Sequence, residues 1–237
     1  MKILAIDSSG LVATVALLDG ENMIAEYTVN YRKTHSQTLL PMVDEIVSMT
    51  ETALSEIDGI AVAAGPGSFT GLRIGSATAK GLGLALNKPL IPVPTLEGLA
   101  CNYYGYQGLI CPMMDARRQQ VYTGIYRFDQ GEMTVVKEQT ACPVLEIIEE
   151  INTLGEPVVY LGDGVPVYRD RIEEGTEVPY TIAPAHMNRQ RAGAVGRRAM
   201  DYLSRGMTES AADHAPIYIR KSQAERELNA RGESLED

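Results

Sequence analysis

The sequence predicts an α/β protein built from two tandem domains, each a mixed five-stranded sheet with helices. Three observations predict this. A strand–strand–strand–helix–strand–helix order occurs twice, the first strand of each copy ends in an acid, and a glycine-rich turn follows a later buried strand of each copy. The acids are Asp7 and Asp115, and the turns span 65–67 and 162–164. Such a repeat indicates two similar domains that face one another.

Hydrophobic periodicity places the elements of the first copy. The predicted strands lie at 3–6, 12–18, 23–29, 60–64 and 90–93, and the predicted helices lie at 38–53 and 68–86. Asp19 and Gly20 form a hairpin signal, so we expect the first three strands to be an antiparallel meander. Pro41 lacks the N–H that a helix interior needs, so we expect it either in the first turn, which a cap at Thr38 would allow, or at a kink in the helix.

The second copy repeats the order in a shorter form. Its predicted strands lie at 109–114, 120–128, 133–136 and 158–161, with helices at 144–151 and 189–205. Pro92, Pro94 and Gly105 cluster near the join, which sets the predicted domains at 1–100 and 101–219. Residues 220–237 are rich in charge and poor in apolar side chains, and we expect a flexible tail there.

Composition excludes several classes of protein. The 237 residues carry 21 Lys+Arg against 31 Asp+Glu, a net charge of −10, so the chain lacks the broad cationic surface that binds nucleic acid by itself. No apolar stretch approaches the ~20 residues of a membrane span, and Asp7 interrupts the first apolar run too early for a signal peptide. The cysteines show no Cys-x-x-Cys spacing and no histidine has another four residues away. We therefore expect no metal site and a cytoplasmic location.

Two loops are candidates for binding an anion or a nucleotide phosphate. The hydroxyls and N–H groups after Asp7 would cradle a phosphate while Asp7 holds a metal-bound water; the alternative is an ordinary strand-end turn. The stretch 65–75 opens a helix, which favours an anion, but Thr70 breaks the dinucleotide fingerprint and no P-loop lysine follows. The alternative there is a tight turn capped by Ser68. The candidates are Asp7, Ser8, Ser9, Gly65, Gly67, Ser68, Arg117, Gly162, Asp163 and Gly164.

The first two long helices carry a pattern that suggests docking. Glycine or alanine recurs every fourth residue along one face of helix 68–86, and interior glycines cost roughly 0.5–1 kcal/mol each against alanine. Helix 38–53 has a second apolar face, which one sheet cannot cover together with the first. We expect the two helices to share an exposed patch for a partner. The candidates are His35, Leu39, Leu40, Met42, Val43, Val47, Gly71, Leu72, Gly75, Ala79 and Gly83.

Several motifs together resemble a known family. They are Ile6-Asp7-Ser8-Ser9, Thr34-His35-Ser36-Gln37, the stretch 65–75, Asp115-Ala116-Arg117-Arg118 and Tyr160-Leu161-Gly162-Asp163-Gly164. Two facing repeats resemble the actin-like superfamily, whose domains are ribonuclease H-like. Within it, these motifs make the chain similar to the TsaB (YeaZ) family, paralogous to the catalytic TsaD subunit, over residues up to about 220.

The resemblance implies a function that composition and spacing do not show. It implies a non-catalytic scaffold, a pseudo-enzyme that pairs with a TsaD-like subunit through first-domain helices and is joined by a TsaE-like ATPase. Their complex transfers threonylcarbamoyl to an adenosine in tRNA anticodon loops, so tRNA contact would come through the complex. It also implies a homodimer as one state of the isolated chain. We expect no cofactor of its own, with ATP or ADP at the subunit boundary as the remaining option.

Two other functions stay open at the level of sequence. One is a degenerate actin-like ATPase or kinase that would use Asp7, Ser9, Gly67 and Asp163. The other is a glycoprotease-type peptidase. It is the least favoured of the three because no nucleophile–base pair or metal site can be assembled from the sequence.

Overall fold

Two mixed sheets form the framework of the protein, and the computed structural model describes residues 1–31 and 34–220. The first sheet contains β1 (Lys2–Asp7), β2 (Ala13–Asp19), β3 (Asn22–Val29), β4 (Ile57–Gly65) and β5 (Leu90–Pro94). Its strand order is β3-β2-β1-β4-β5. The meander β1-β2-β3 is antiparallel and β4 and β5 add in parallel, because the connections through helices return the chain to the same edge.

The second sheet repeats this arrangement. It contains β6 (Leu109–Asp115), β7 (Gln120–Asp129), β8 (Glu132–Pro143), β9 (Val158–Leu161) and β10 (Tyr180–Ile182), in the order β10-β9-β6-β7-β8. The predicted duplication and the two five-stranded mixed sheets are confirmed. Strand β8 is much longer than the predicted 133–136, and the sequence pattern did not reveal β10.

Seven helices lie in the described part of the chain. They are α1 (His35–Met49), α2 (Phe69–Leu86), α3 (Thr95–Ala100), α4 (Val144–Leu154), α5 (Gly164–Val167), α6 (Arg169–Gly175) and α7 (Ala192–Ser204). Ser68 caps α2 and its hydroxyl accepts the Gly71 N–H at 3.3 Å, as predicted. The first-turn position predicted for Pro41 is wrong, since α1 starts at His35 and Pro41 lies in its interior. In the described residues, no helix has the length and apolarity that crossing a bilayer requires.

Each half of the chain contributes one helix to the core of the other half. Helix α7 lies at the end of the second half of the chain but packs on the first sheet, where Val195 and Ala199 meet Ile3 and Ala5. Helix α3 lies in the first half but packs on the second sheet. The boundary near residue 100 therefore separates the sheets without separating their cores.

Residues 207–220, here called the C-terminal strap, return along the first domain. The Glu209 backbone pairs with Leu90 at the free edge of β5, which protects that edge. Ala211 joins the first-domain core, and the Ile217 N–H donates to the Ala64 carbonyl at 2.7 Å. The strap thus belongs to the first domain. Of the predicted tail 220–237, only Arg220 is described; the rest lies outside the described residues.

Candidate functional site

The glycine-rich stretch after β4 allows the loop after β1 to approach α2 closely. A Cβ on Gly67 would lie 2.4 Å from the Ser9 carbonyl oxygen, and one on Gly71 would lie 2.1 Å from the Ser8 carbonyl oxygen. The Ser68 N–H donates to the Ser9 carbonyl at 2.7 Å. These glycines therefore let the loop after β1 pack directly against the start of α2. This close packing accounts for the glycines of the motif without a ligand.

The polar groups of the loop after β1 are mostly engaged inside the protein. The Ser8 hydroxyl donates to the Gly71 carbonyl at 2.9 Å, and the Ser9 N–H donates to the Asp7 carboxylate at 2.8 Å. The buried Ser9 hydroxyl has no partner with hydrogen-bonding geometry among the described residues. Burial raises the pKa of the Asp7 carboxyl from 3.8 to about 6. Hydrogen bonding by Ser9 and the electrostatic interaction with the nearby His35 lower this pKa, but their effect is smaller than that of burial.

The raised pKa makes Asp7 a pH-dependent cost to stability. Between about pH 4 and 6 the folded state keeps a proton that the unfolded state loses, so the free energy of unfolding decreases as the pH rises. We expect Asp7→Asn to raise the free energy of unfolding at pH 7 by about 1–3 kcal/mol. The gain should shrink as the pH falls and vanish below about pH 4, where both states are protonated.

Urea unfolding of both proteins at a series of pH values measures this difference. All other titrating groups are common to the two chains and cancel in the comparison. A difference that stays constant across the pH series would show that Asp7 is ionised at the same pH in both states.

The two domains enclose a cleft of about 510 Å³ that gathers only part of the predicted anion site. Ser9, Gly67, Ser68, Arg117 and Asp163 line it. The other five candidates lie outside its lining: Asp7, Ser8, Gly65, Gly162 and Gly164. For these five, a direct contact with a ligand in the cleft is not supported.

The second copy uses its glycines as the first does. A Cβ on Gly162 would lie 2.1 Å from the Met113 carbonyl oxygen, and Gly164 packs against the same backbone. The carboxylate of Asp163 accepts the Asp115 N–H at 3.1 Å, and burial raises the pKa of Asp163. The turn 162–164, which follows β9, thus packs closely against the backbone of β6. Asp163 is the one residue of this turn that lines the cleft.

Arg117 lies at the rim of the cleft with an ion pair of its own. Its guanidinium is 3.3 Å from the Asp115 carboxylate, and its side chain is 87% exposed. The Arg117 guanidinium therefore has an acidic partner within the chain.

Three of the six α1 residues that were predicted to dock a partner lie inside the protein. Leu39, Met42 and Val43 are at most 8% exposed and pack in the first-domain core. His35 begins α1, and its ring points into the cleft, where Nε2–H donates to the Gly10 carbonyl at 2.8 Å. The prediction of an exposed docking role is wrong for Leu39, Met42 and Val43, because α1 turns this face to the sheet. For His35, which is half-buried, it stays a prediction.

The small-residue face of α2 is also covered by the chain itself. Leu72 and Ala79 are buried, and Gly71 and Gly75 face the loop after β1. A Cβ on Gly83 would lie 2.8 Å from the Cβ of Ala211 in the C-terminal strap. These positions serve close packing within the protomer, which the sequence pattern could not distinguish from packing against a partner.

An exposed apolar surface nevertheless remains on the outer sides of α1 and α2, which pack against each other. Leu40 is 56% exposed on α1, with Val47 half-buried two turns later, and Leu84 is 62% exposed on α2. Ala77 and Gly81 are exposed on the same side of α2 as Leu84. We call these five residues the α1–α2 outer face.

The structure forms a nucleophile–base constellation that the sequence did not reveal. The Ser76 hydroxyl lies 2.9 Å from His214 Nε2, and His214 Nδ1 hydrogen-bonds to the Glu209 carboxylate. Ser76 and His214 are only 3% and 2% exposed, and neither lines any described cavity. The statement that no such pair can be assembled is therefore wrong. Substrate cannot reach this pair, and its evident role is to hold the C-terminal strap on α2.

Other reactive groups in residues 1–31 and 34–220 are shielded. No three His, Cys, Asp or Glu side chains there are grouped so that they could hold a metal ion. All three cysteines are buried, and burial raises the pKa of the Cys101 and Cys111 thiols to about 12, which leaves them protonated at neutral pH.

Sequence reasoning missed that the C-terminal strap reaches the cleft. Ile217, Tyr218, Ile219 and Arg220 line it, and the Arg220 guanidinium donates to the Ala116 carbonyl at 3.1 Å on the opposite side. The Tyr218 ring packs on Phe69, with ring centroids 4.7 Å apart. The available signal was the apolar run at 217–219 just before a charged tail.

Comparison with known proteins places the chain among relatives of one kind. Residues 22–228 match the family model of tRNA N6-adenosine threonylcarbamoyltransferase, TsaD. The chain is 35% identical over 230 residues to the tRNA threonylcarbamoyladenosine biosynthesis protein TsaB of Bacillus subtilis, which covers 95% of this chain and 96% of that protein. The structure of YeaZ from Pseudomonas aeruginosa aligns with a TM-score of 0.80 and 29% identity, over 92% of this chain and 99% of that one.

A more distant likeness shows the fold alone. The inorganic polyphosphate/ATP-glucomannokinase from Arthrobacter aligns with a TM-score of 0.52 and 12% identity, over 86% of this chain and 99% of that one. Together with the repeated sheet order, this confirms the predicted actin-like fold class.

Proposed function

Because the chain belongs to the TsaB family of tRNA threonylcarbamoyladenosine biosynthesis proteins, we propose that it acts in this modification as a non-catalytic scaffold subunit. Its role is to bind a TsaD-like catalytic subunit and, with a TsaE-like ATPase, to support transfer of threonylcarbamoyl to adenosine in tRNA. The tRNA is held through the complex, since a net charge of −10 leaves this chain poorly suited to bind it alone.

The α1–α2 outer face carries the proposal. Leu40 and Leu84 are each more than half exposed on two neighbouring helices, and the small residues Ala77 and Gly81 are exposed on the same side of α2 as Leu84. A Cβ at Gly81 would meet nothing within 4 Å, so this glycine, unlike its neighbours in α2, serves no packing inside the protomer. Small residues beside exposed leucines suit close approach of a helix from a partner chain.

The absence of catalysis is supported by where the reactive groups lie. The Ser76 hydroxyl is bonded to His214 beneath the C-terminal strap, away from every described cavity. Four residues of the strap form part of the lining of the cleft. A nucleophile that is buried in this way cannot attack an external substrate without local opening.

Nucleotide hydrolysis in the cleft is the alternative function. The unpartnered Ser9 hydroxyl and the Asp163 carboxylate at this cleft favour it, and the likeness to a kinase is in the fold only. Under this alternative, the purified chain would turn over ATP without any partner.

Complementation of cells depleted of this protein tests the proposal. We expect depletion to lower threonylcarbamoyladenosine in bulk tRNA, measured by mass spectrometry, and the wild-type chain to restore it. Leu40→Glu combined with Leu84→Glu should fail to restore it and should no longer copurify a TsaD-like subunit, because two charges in an apolar interface are left without partners.

Leu154→Glu combined with Met207→Glu is the matched control, since it adds the same charge at exposed apolar side chains outside the outer face. This control should restore the modification as the wild type does. Unchanged modification after depletion would overturn the proposed function, and a restoring Leu40/Leu84 variant would overturn the docking face. ATP turnover by the purified chain would overturn its non-catalytic character.

A further inference from the structure

We propose that a cavity in the second domain binds a phosphorylated nucleoside, with Arg118 and Arg171 holding its phosphate. The cavity has a volume of about 450 Å³, which is within the range of small-molecule sites. It lies between the loop after β6, the start of α4 and helices α5 and α6. Its walls are Arg118, Gln119, Gln120, Pro143, Val144, Leu145, Val167, Tyr168, Asp170 and Arg171.

The two arginines of this cavity differ from their neighbours in sequence. Arg117 is paired with Asp115, and Arg169 is paired with Glu173. Within residues 1–31 and 34–220, the side chains of Arg118 and Arg171 form no salt bridge and no hydrogen bond, although acids outnumber bases by ten in the whole chain. Two unpaired guanidinium groups on the wall of one cavity form a local site for an anion, and the planar fork of arginine matches phosphate oxygens.

The remaining walls favour a nucleotide over a bare phosphate. Asp170 is the single acid among the lining residues, and its carboxylate would repel a free anion but can accept hydrogen bonds from ribose hydroxyls. Leu145 is 46% exposed and Val167 is 57% exposed, so with Tyr168 they offer an apolar surface on which a base can lie. Phosphate, ribose and base thus each meet a suitable group.

The backbone that presents Arg118 is unusual. Arg117, Arg118 and Gln119 have φ values of 63°, 55° and 59°, three consecutive left-handed residues without a glycine. Such conformations are uncommon for these residue types and concentrate at binding sites. The turn places Arg117 on the cleft and Arg118 on the second-domain cavity, so the cavity is a separate site from the cleft.

The ligand is one nucleotide, because two guanidinium groups suffice for one phosphate and not for an extended backbone. It has two sources, a free nucleotide or a single nucleotide of an RNA chain, and only the second rests on the proposed function. The full-length chain can therefore be titrated with AMP by calorimetry and with a labelled short RNA hairpin by fluorescence anisotropy.

We expect each arginine to contribute roughly tenfold to affinity, since a hydrogen bond to a charged group is worth that much. Arg118→Ala combined with Arg171→Ala should therefore weaken binding by about a hundredfold. Arg169→Ala is the control for the Arg171 substitution: it removes one positive charge from the same helix, but its side chain does not line the cavity. It should leave affinity nearly unchanged, and thermal melting should be alike in all variants.

The possible outcomes separate the sources and the alternatives. Loss of both AMP and RNA binding in the double variant supports the site with a free nucleotide as a competent ligand, and loss of RNA binding alone supports it with RNA as the source. No binding to the wild type, or equal losses in the double variant and in Arg169→Ala, would overturn it. These titrations do not depend on tRNA modification in cells. A negative result would therefore contradict the proposed nucleotide site and leave the proposed scaffold function untouched.

Discussion

Arg198→Ala is expected to lower the free energy of unfolding by about 3–5 kcal/mol, because it leaves a buried carboxylate without its partner. Arg198 Nε donates to the Glu97 carboxylate at 2.6 Å, and the Tyr202 hydroxyl donates to the same oxygen at 2.8 Å. Glu97 and Arg198 are 7% and 5% exposed. The pair joins α3, which packs on the second sheet, to α7, which packs on the first.

Chemical unfolding with fluorescence or circular dichroism measures this loss, and two further variants identify its cause. Arg205→Ala removes an arginine whose ion pair with Glu132 is exposed, and it should change stability little. Glu97→Gln combined with Arg198→Met removes both charges and should recover most of the loss. If this double variant is as unstable as Arg198→Ala, the cost comes from lost packing and the ion pair explanation is wrong.

Gly71→Ala is expected to lower the free energy of unfolding by about 3 kcal/mol, although alanine is the better helix former. The new Cβ would lie 2.1 Å from the Ser8 carbonyl oxygen, a backbone atom that cannot rotate away. Either α2 or the loop after β1 has to move, and the hydrogen bond from the Ser8 hydroxyl to the Gly71 carbonyl moves with it.

Gly81→Ala in the same helix is the matched control and should have the opposite sign. Nothing lies within 4 Å of its added Cβ, so the intrinsic preference of alanine should raise the free energy of unfolding by about 0.5–1 kcal/mol. Equal effects of the two substitutions would show that the glycines of α2 act through helix propensity alone. A stabilising Gly71→Ala would show that the loop after β1 yields at little cost.

Much of the architecture follows from local pattern. The strand that ends at Asp7 and its counterpart that ends at Asp115 are continuous apolar runs, as buried strands are, and the turn at Asp19-Gly20 pairs β2 with β3 as an antiparallel hairpin. The start of α2 was predictable because Ser68 is a residue type that caps helices, and its hydroxyl accepts the Gly71 N–H. The predicted start of α1 is wrong, because the N-cap residue Thr34 makes no capping hydrogen bond with its side chain and the helix accommodates Pro41 in its interior.

The candidate site was harder to predict, and the reason lies in the glycines. A glycine indicates that something comes close but not what comes close. At Gly71 the neighbour is Ser8 and at Gly83 it is Ala211, more than a hundred residues away in the chain. The docking prediction therefore extended to buried residues, whereas Leu40 and Val47 keep the exposure that a docking role requires.

The sequence by itself determined the duplication, the two sheets and the acids that end their first strands, because hydrophobic period and turn chemistry act over a few residues. Its motifs also determined the TsaB family. The tertiary structure alone decided the exchange of α3 and α7, the burial of Ser76 with His214, and the return of the C-terminal strap to the cleft. These depend on contacts between distant parts of the chain, and an amphipathic helix or an apolar run does not specify which surface covers it.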